Sequence, residues 1–141
     1  MSVRVQREDF DVGAEVRRLA AARTDIGAIV TFTGMVRSEN DGRGIAGMTL
    51  EHYPGMTESE LARVEAEAGK RWPLQASLIV HRIGALNPGD NIVLVVTASA
   101  HREAAFAAAE VRPALMTMMG LLCATSRADD RNERASPMLS M

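Results

Sequence analysis

The spacing of apolar positions predicts a short strand at the start of the chain, where Val3 and Val5 alternate with polar neighbours. Asp11 then stands as an N-cap before Val12, Val16, Leu19 and Ala20, which fall on one face of a helix expected to run to about Ala22. Residues 27–33, GAIVTFT, are short and rich in β-branched side chains, and read as a strand. Residues 34–44, GMVRSENDGRG, contain three glycines among small polar residues and are expected to form a mobile surface loop. Residues 48–53 read as a further strand, closed by Pro54-Gly55, a pair suited to a type II turn.

The clearest helix start is Thr57-Glu58-Ser59-Glu60, which has the form of a capping box. Leu61, Val64 and Ala68 supply the buried stripe of that helix, and Gly69 is its expected stop. Residues 78–83 and 92–98 read as strands joined by the turn Leu86-Asn87-Pro88-Gly89-Asp90. A last helical pattern runs from about Ala100 through Val111, and Pro113 ends or kinks it. The order β-α-β-β-α-β-β-α favours an α+β single domain with a largely antiparallel sheet over a doubly wound one.

Composition narrows the possible partners. In 141 residues with a net charge of -2, nothing gives the whole molecule an attraction to nucleic acid. The longest apolar runs are too short to cross a bilayer, and MSVRVQREDF lacks the apolar stretch of a signal peptide, so a cytoplasmic protein is expected. The single cysteine, Cys123, excludes an intramolecular disulfide framework and any multi-cysteine metal site, and its Leu121-Leu122 setting argues against a reactive thiol. His52, His81 and His101 stand alone, without the short spacings of zinc ligands, so no metal site is expected. P-loop, dinucleotide and G-x-S-x-G patterns are absent from the sequence.

Two segments carry candidate chemistry. Ser99-Ala100-His101-Arg102 sits where a strand passes into a helix, with Ser99 the expected N-cap. Free backbone N–H groups and the helix dipole would lie there beside a guanidinium and a titratable imidazole, a setting suited to phosphate or to a simple surface ion pair with Glu103. Arg37 lies in the glycine-containing segment after Phe32-Thr33-Gly34, where Gly34 lets the backbone approach a ligand, although a solvated arginine fits equally well. In Glu51-His52-Tyr53, adjacent strand residues face opposite ways, so Glu51 and His52 cannot both line one pocket.

Taken together, VTFTGMVR at 30–37, LEHYPGM at 50–56, RWPL at 71–74, HRIGALNPGD at 81–90 and SAHREAAF at 99–106 resemble the large, catalytic subunit of molybdopterin synthase, the MoaE family. The similarity covers a MoaE-like unit over residues 1–111, leaving 112–141 as a divergent C-terminal tail expected to be partly helical or disordered. The resemblance implies an α+β hammerhead-type fold and a homodimer within a heterotetramer. Each copy would bind a small, ubiquitin-like sulfur-carrier subunit whose C-terminal thiocarboxylate gives its sulfur to cyclic pyranopterin monophosphate, with no metal or nucleotide cofactor. It also implies substrate contacts from Met35, Val36 and Arg37 and from His101 and Arg102, with the arginines holding charge and His101 orienting substrate or moving a proton.

The tail departs from the family pattern. The family carries an essential lysine roughly four helical turns after its His-Arg pair, and then a segment of the form PFWKxE with a second lysine. The ungapped positions here are Thr117 and Ala124, and Lys70 is the single lysine of the chain, beside fifteen arginines. Arginine does not deprotonate at working pH and is a poor replacement in acid or covalent chemistry. A non-catalytic family member that binds the carrier is therefore the alternative expectation.

Overall fold

The computed structural model of the protein describes residues 2–40, 43–44, 47–50 and 54–110. The elements run β1 (Ser2–Gln6), α1 (Val12–Ala20), β2 (Ala28–Met35), β3 (Glu39–Asn40), β4 (Arg43–Gly44), β5 (Met48–Leu50), α2 (Met56–Arg71), β6 (Leu74–Arg82), β7 (Gly84–Leu86), β8 (Asn91–Ser99) and α3 (Arg102–Ala109). Four strands form the main sheet in the order β1-β6-β8-β2, while β3-β4 and β5-β7 form two small ribbons. Only the β1–β6 pair of the main sheet is parallel, so the expected α+β architecture with a largely antiparallel sheet holds.

The two central strands are covered on both faces, which explains their near-continuous apolar runs. On one face Leu78, Val80, Leu94 and Val96 pack with Phe10, Val12, Val16, Leu19 and Ile29, placing α1 there. On the other, Ile79, Val93 and Val95 meet Leu61 and Val64 of α2 together with Val36, Leu50 and Leu86. Helix α3 crosses β8 and β2 on that second face. Its buried side chains are Ala104, Ala105 and Ala108, small enough for close approach, and the Thr97 hydroxyl donates to the Ala105 carbonyl at 2.7 Å.

Four local expectations are corrected. Residues 34–44 are not a plain loop, because β2 continues to Met35 with a register shift after Gly34, and β3 and β4 pair as antiparallel strands. The 87–90 turn holds this segment: Val36 N–H donates to the Asp90 carbonyl at 2.9 Å, and Gly89 N–H donates to the Val36 carbonyl at 2.8 Å. Helix α2 starts at Met56 with Gly55 as N-cap in the left-handed region (φ 83°), and Glu58, not Glu60, accepts from the Gly55 N–H at 2.9 Å. Thr57 is buried instead of capping. Gly69 does not stop α2, which continues to Arg71. The stop comes from Pro73, since a residue before proline is pushed out of the helical region, and Trp72 is extended (φ -129°, ψ 145°). Finally, the N-cap of α3 is His101, not Ser99.

Glu51, His52, Tyr53, Thr117, Cys123, Ala124 and the whole segment 112–141 lie outside the described residues. Among the described residues no helix is long and apolar enough to cross a membrane.

Candidate anion site at the start of α3

The junction of β8 and α3 is tied down on every side except the one it presents to solvent. Ser99 is wholly buried as the last residue of β8, and its hydroxyl donates to the Pro73 carbonyl at 2.8 Å while accepting from the His101 N–H at 3.3 Å. The Ala100 N–H donates to Gln75 Oε1 at 2.7 Å. Gly27 N–H donates to the Ser99 carbonyl at 2.9 Å, and a Cβ at Gly27 would stand 2.2 Å from the Ala100 carbonyl oxygen. Glycine is therefore a steric requirement at this position.

Beyond this tether the chain enters α3 with His101 as an extended N-cap whose side chain makes no capping bond. The first-turn N–H groups are thus left without a side-chain cap, at the positive end of the helix dipole. His101 and Arg102 flank them and are exposed. The Arg102 side chain is 81 % accessible, and its contact with Glu103 is a loose 3.8 Å. Open N–H groups, a fixed positive charge and an imidazole at one helix start can together receive a phosphate or carboxylate.

The other predicted residues lie elsewhere. Met35 is 53 % accessible, and Arg37 is exposed just beyond the end of β2. Val36 is only 4 % accessible and belongs to the core, so it serves the segment as an anchor. The strand register sets the distance between the two groups, since Ala28 faces Ser99 at one end of β2 and Met35 faces Asn91 at the other. Seven residues of strand at about 3.3 Å each put Met35 roughly 23 Å from the His101 end. One copy of the chain brings His101 and Arg102 together and holds Arg37 apart from them.

The pair His81-Arg82 in HRIGALNPGD has a structural place. Arg82 donates through Nε and Nη2 to the Arg7 carbonyl (3.1 and 3.0 Å) and through Nη1 to the Asn91 carbonyl (3.1 Å), clamping the β1–α1 connection to β8. Asp9 joins this clamp by accepting from Asn91 and from the Phe10 N–H, and those bonds hold its carboxyl below the ordinary carboxylate value. His81 is wholly buried, with Nδ1 2.7 Å from the Arg82 carbonyl and Nε2 without a partner. Burial pushes its pKa down.

Among the described residues no group of three His, Cys, Asp or Glu side chains could hold a metal ion. A cleft of about 380 Å³ opens beside the β1–β6 edge, lined by Arg4, Glu15 and Arg18. Its buried Glu15 is already paired with both arginines, and it lies by α1, on the face of the sheet opposite α3.

Residues 5–112 match the family described as MoaE protein. A molybdopterin synthase catalytic subunit of Pseudomonas aeruginosa is 58 % identical over 106 residues, covering 75 % of this chain and 71 % of the relative. One of Mesorhizobium japonicum is 55 % identical over 108 residues, covering 77 % and 67 %. The chain belongs to the MoaE family. The solved structure of molybdopterin cofactor biosynthesis protein E from Burkholderia multivorans agrees in fold, with a TM-score of 0.69 at 51 % identity, over 77 % of this chain and 70 % of that one. The chain spans about two thirds of the length of the curated relatives it matches.

The sequence singles out His101 and Arg102 as candidates but does not mark the residues that hold them. Gln75 follows directly on the RWPL motif, and nothing in its spacing marks it, because its role depends on a register shift in β6 between Leu74 and Ala76. Gly27 was legible as a glycine opening a strand, although only the fold shows which carbonyl it approaches.

Proposed function

We propose that the chain acts as the large subunit of molybdopterin synthase, a sulfurtransferase of molybdenum cofactor biosynthesis. A small, ubiquitin-like carrier subunit delivers sulfur as a C-terminal thiocarboxylate, and cyclic pyranopterin monophosphate receives it to form the molybdopterin dithiolene. Residues 1–111 form the functional unit, 112–141 are a tail of divergent sequence, and the work is done in the cytoplasm. The observation that carries this reading is the uncapped start of α3, where His101 and Arg102 offer the kind of site a phosphate-bearing substrate needs, in a chain that matches the family over residues 5–112. Arg102 and Arg37 hold substrate charge, His101 orients substrate or moves a proton, and Met35 and the anchored Val36 set the position of Arg37.

The separation of Arg37 from His101 and Arg102 along β2 makes the homodimer part of this reading. One substrate cannot touch both ends of a strand, whereas Arg37 of one copy can stand beside the His101-Arg102 pair of a second. Mixing tests it by equilibrium binding of the pterin precursor. Arg37→Ala and Arg102→Ala each weaken binding as homodimers, and a mixed dimer of the two regains tight binding at half the sites. If the mixture binds no better than either parent, the shared site is wrong.

One observation favours a second reading, a family member that binds the carrier without turnover. No lysine follows Lys70, and Thr117 and Ala124 stand where the family carries lysines.

A further inference from the structure

Gln75 occupies an irregular place in the main sheet. Leu74 pairs with Ser99 and Ala76 pairs with Ala98, so Gln75 is the extra residue of a β-bulge in β6. A bulge takes a residue out of the ladder and re-aims its side chain. Both ends of this residue are used. Its backbone carbonyl accepts from Arg23 Nη1 at 2.8 Å, and Arg23 is itself held by two hydrogen bonds to the Asp25 carboxylate, at 3.0 and 2.8 Å. Its side-chain Oε1 accepts from the Ala100 N–H at 2.7 Å. The Ser99 hydroxyl adds a second tether by joining the Pro73 carbonyl to the His101 N–H.

We infer that Gln75 is a positioning residue for the anion site, fixing the peptide before His101 so that the first turn of α3 and the Arg102 guanidinium face one point in solution. The inference rests on the reading of the α3 start as an anion site. Ser99 and Ala100 are held by hydrogen bonds to Gly27, Pro73 and Gln75, and Gln75 makes its bond to this segment through its side chain. Without its acceptor the Ala100 N–H turns to water, and the segment between the Ser99 tether and the helix gains freedom. An anion bound there must then order that segment as well. A tether contributing about 1 kcal/mol corresponds to roughly a fivefold change in affinity.

Two nuclear magnetic resonance readouts on the full chain test this, namely amide exchange at Ala100 and titration with inorganic phosphate followed at the amides of His101, Arg102 and Glu103. Gln75→Met keeps the side-chain length and removes the acceptor. It is expected to raise Ala100 exchange about tenfold or more and to weaken phosphate binding roughly fivefold. Gln75→Glu keeps an acceptor and retains Ala100 protection. Arg102→Ala weakens phosphate binding while leaving Ala100 exchange at the wild-type rate. Free Ala100 exchange with phosphate affinity unchanged within about twofold in Gln75→Met overturns the positioning role and leaves the anion site standing. Failure of phosphate to shift those amides in the wild type overturns the anion-site reading and this inference with it. If Gln75→Met does not fold, Ser99→Ala removes the companion tether and is read at the His101 amide in the same way. Unchanged phosphate affinity with a released His101 amide then counts against positioning.

Discussion

Replacing Gly27 by alanine adds one methyl group where, among the described glycines, a Cβ would come closest to another atom. The new Cβ would lie 2.2 Å from the Ala100 carbonyl oxygen and 3.1 Å from its carbon. Non-bonded heavy atoms prefer separations of about 3.5–4.0 Å, so the gap must open by more than roughly 1 Å. The obstructing atoms are backbone, and no rotamer change relieves them. Either β2 moves away and loses the 2.9 Å bond from Gly27 to the Ser99 carbonyl, or residues 99–101 move and lose the 2.7 Å bond to Gln75. Overpacking costs about 1–3 kcal/mol and one lost hydrogen bond about 0.5–1.5. The smaller entropy of the unfolded alanine chain returns about 0.4–1 kcal/mol. The net expectation is destabilisation centred on about 2 kcal/mol, within a span of about 0.5–4. Urea denaturation followed by circular dichroism reads this as a fall in midpoint of about 1 M, given slopes of about 1–3 kcal/mol/M for small proteins. Gly44→Ala is the control, since nothing lies within 4 Å of its added Cβ, and its midpoint should hold or rise slightly through the same unfolded-chain entropy. A Gly27→Ala midpoint equal to wild type with an unchanged slope would refute the steric argument.

Other predictions follow from burial and charge. His81 has a folded-state pKa below its ordinary 6.5 because of burial. The unfolded chain therefore binds a proton first, stability is full above about pH 6.5, and it falls as pH drops below that, by at most about 1.4 kcal/mol per pH unit. Denaturant midpoints from pH 7.5 to 5 measure it, and His81→Phe should flatten the slope over that window; an unaltered slope would assign the effect elsewhere. Leu61→Ala removes a side chain 1 % accessible beneath α2 and should cost about 2–5 kcal/mol, seen as a lower melting temperature. Arg102→Ala should leave the melting temperature within about 2 °C, because an exposed, loosely paired side chain contributes little to folding, while weakening binding of the pterin precursor.

The elements that the sequence made legible are those with strong local signals. The Asp11 cap, the Leu61-Val64-Ala68 stripe and the apolar runs of β6 and β8 are each dictated within a few residues, and each lies where expected. Two of the errors, at residues 34–36 and at Ser99, share a cause, which is that distant segments settled them, whereas the ends of α2 turned on the local Gly55, Glu58 and Pro73. Gly34, Met35 and Val36 look like loop until the 87–90 turn offers hydrogen-bond partners. Ser99 looks like a cap until its pairing with Ala28 and Leu74 keeps it in β8 and leaves the N-cap to His101. For the candidate site, the place of His101 and Arg102 at a strand–helix junction was readable in the sequence. Their distance from Arg37 was not, because it depends on the antiparallel register of β2 and β8, which no local spacing encodes.

The most direct measurement is a reconstitution of the chain with a thiocarboxylated carrier and the pterin precursor, followed by mass spectrometry of the carrier's C-terminus. The account predicts that the thiocarboxylate becomes a carboxylate only when both the chain and the precursor are present, and that Arg102→Ala slows the conversion. A carrier that binds the chain and keeps its sulfur would contradict it, and would make the protein a carrier-binding member of the family that has lost turnover.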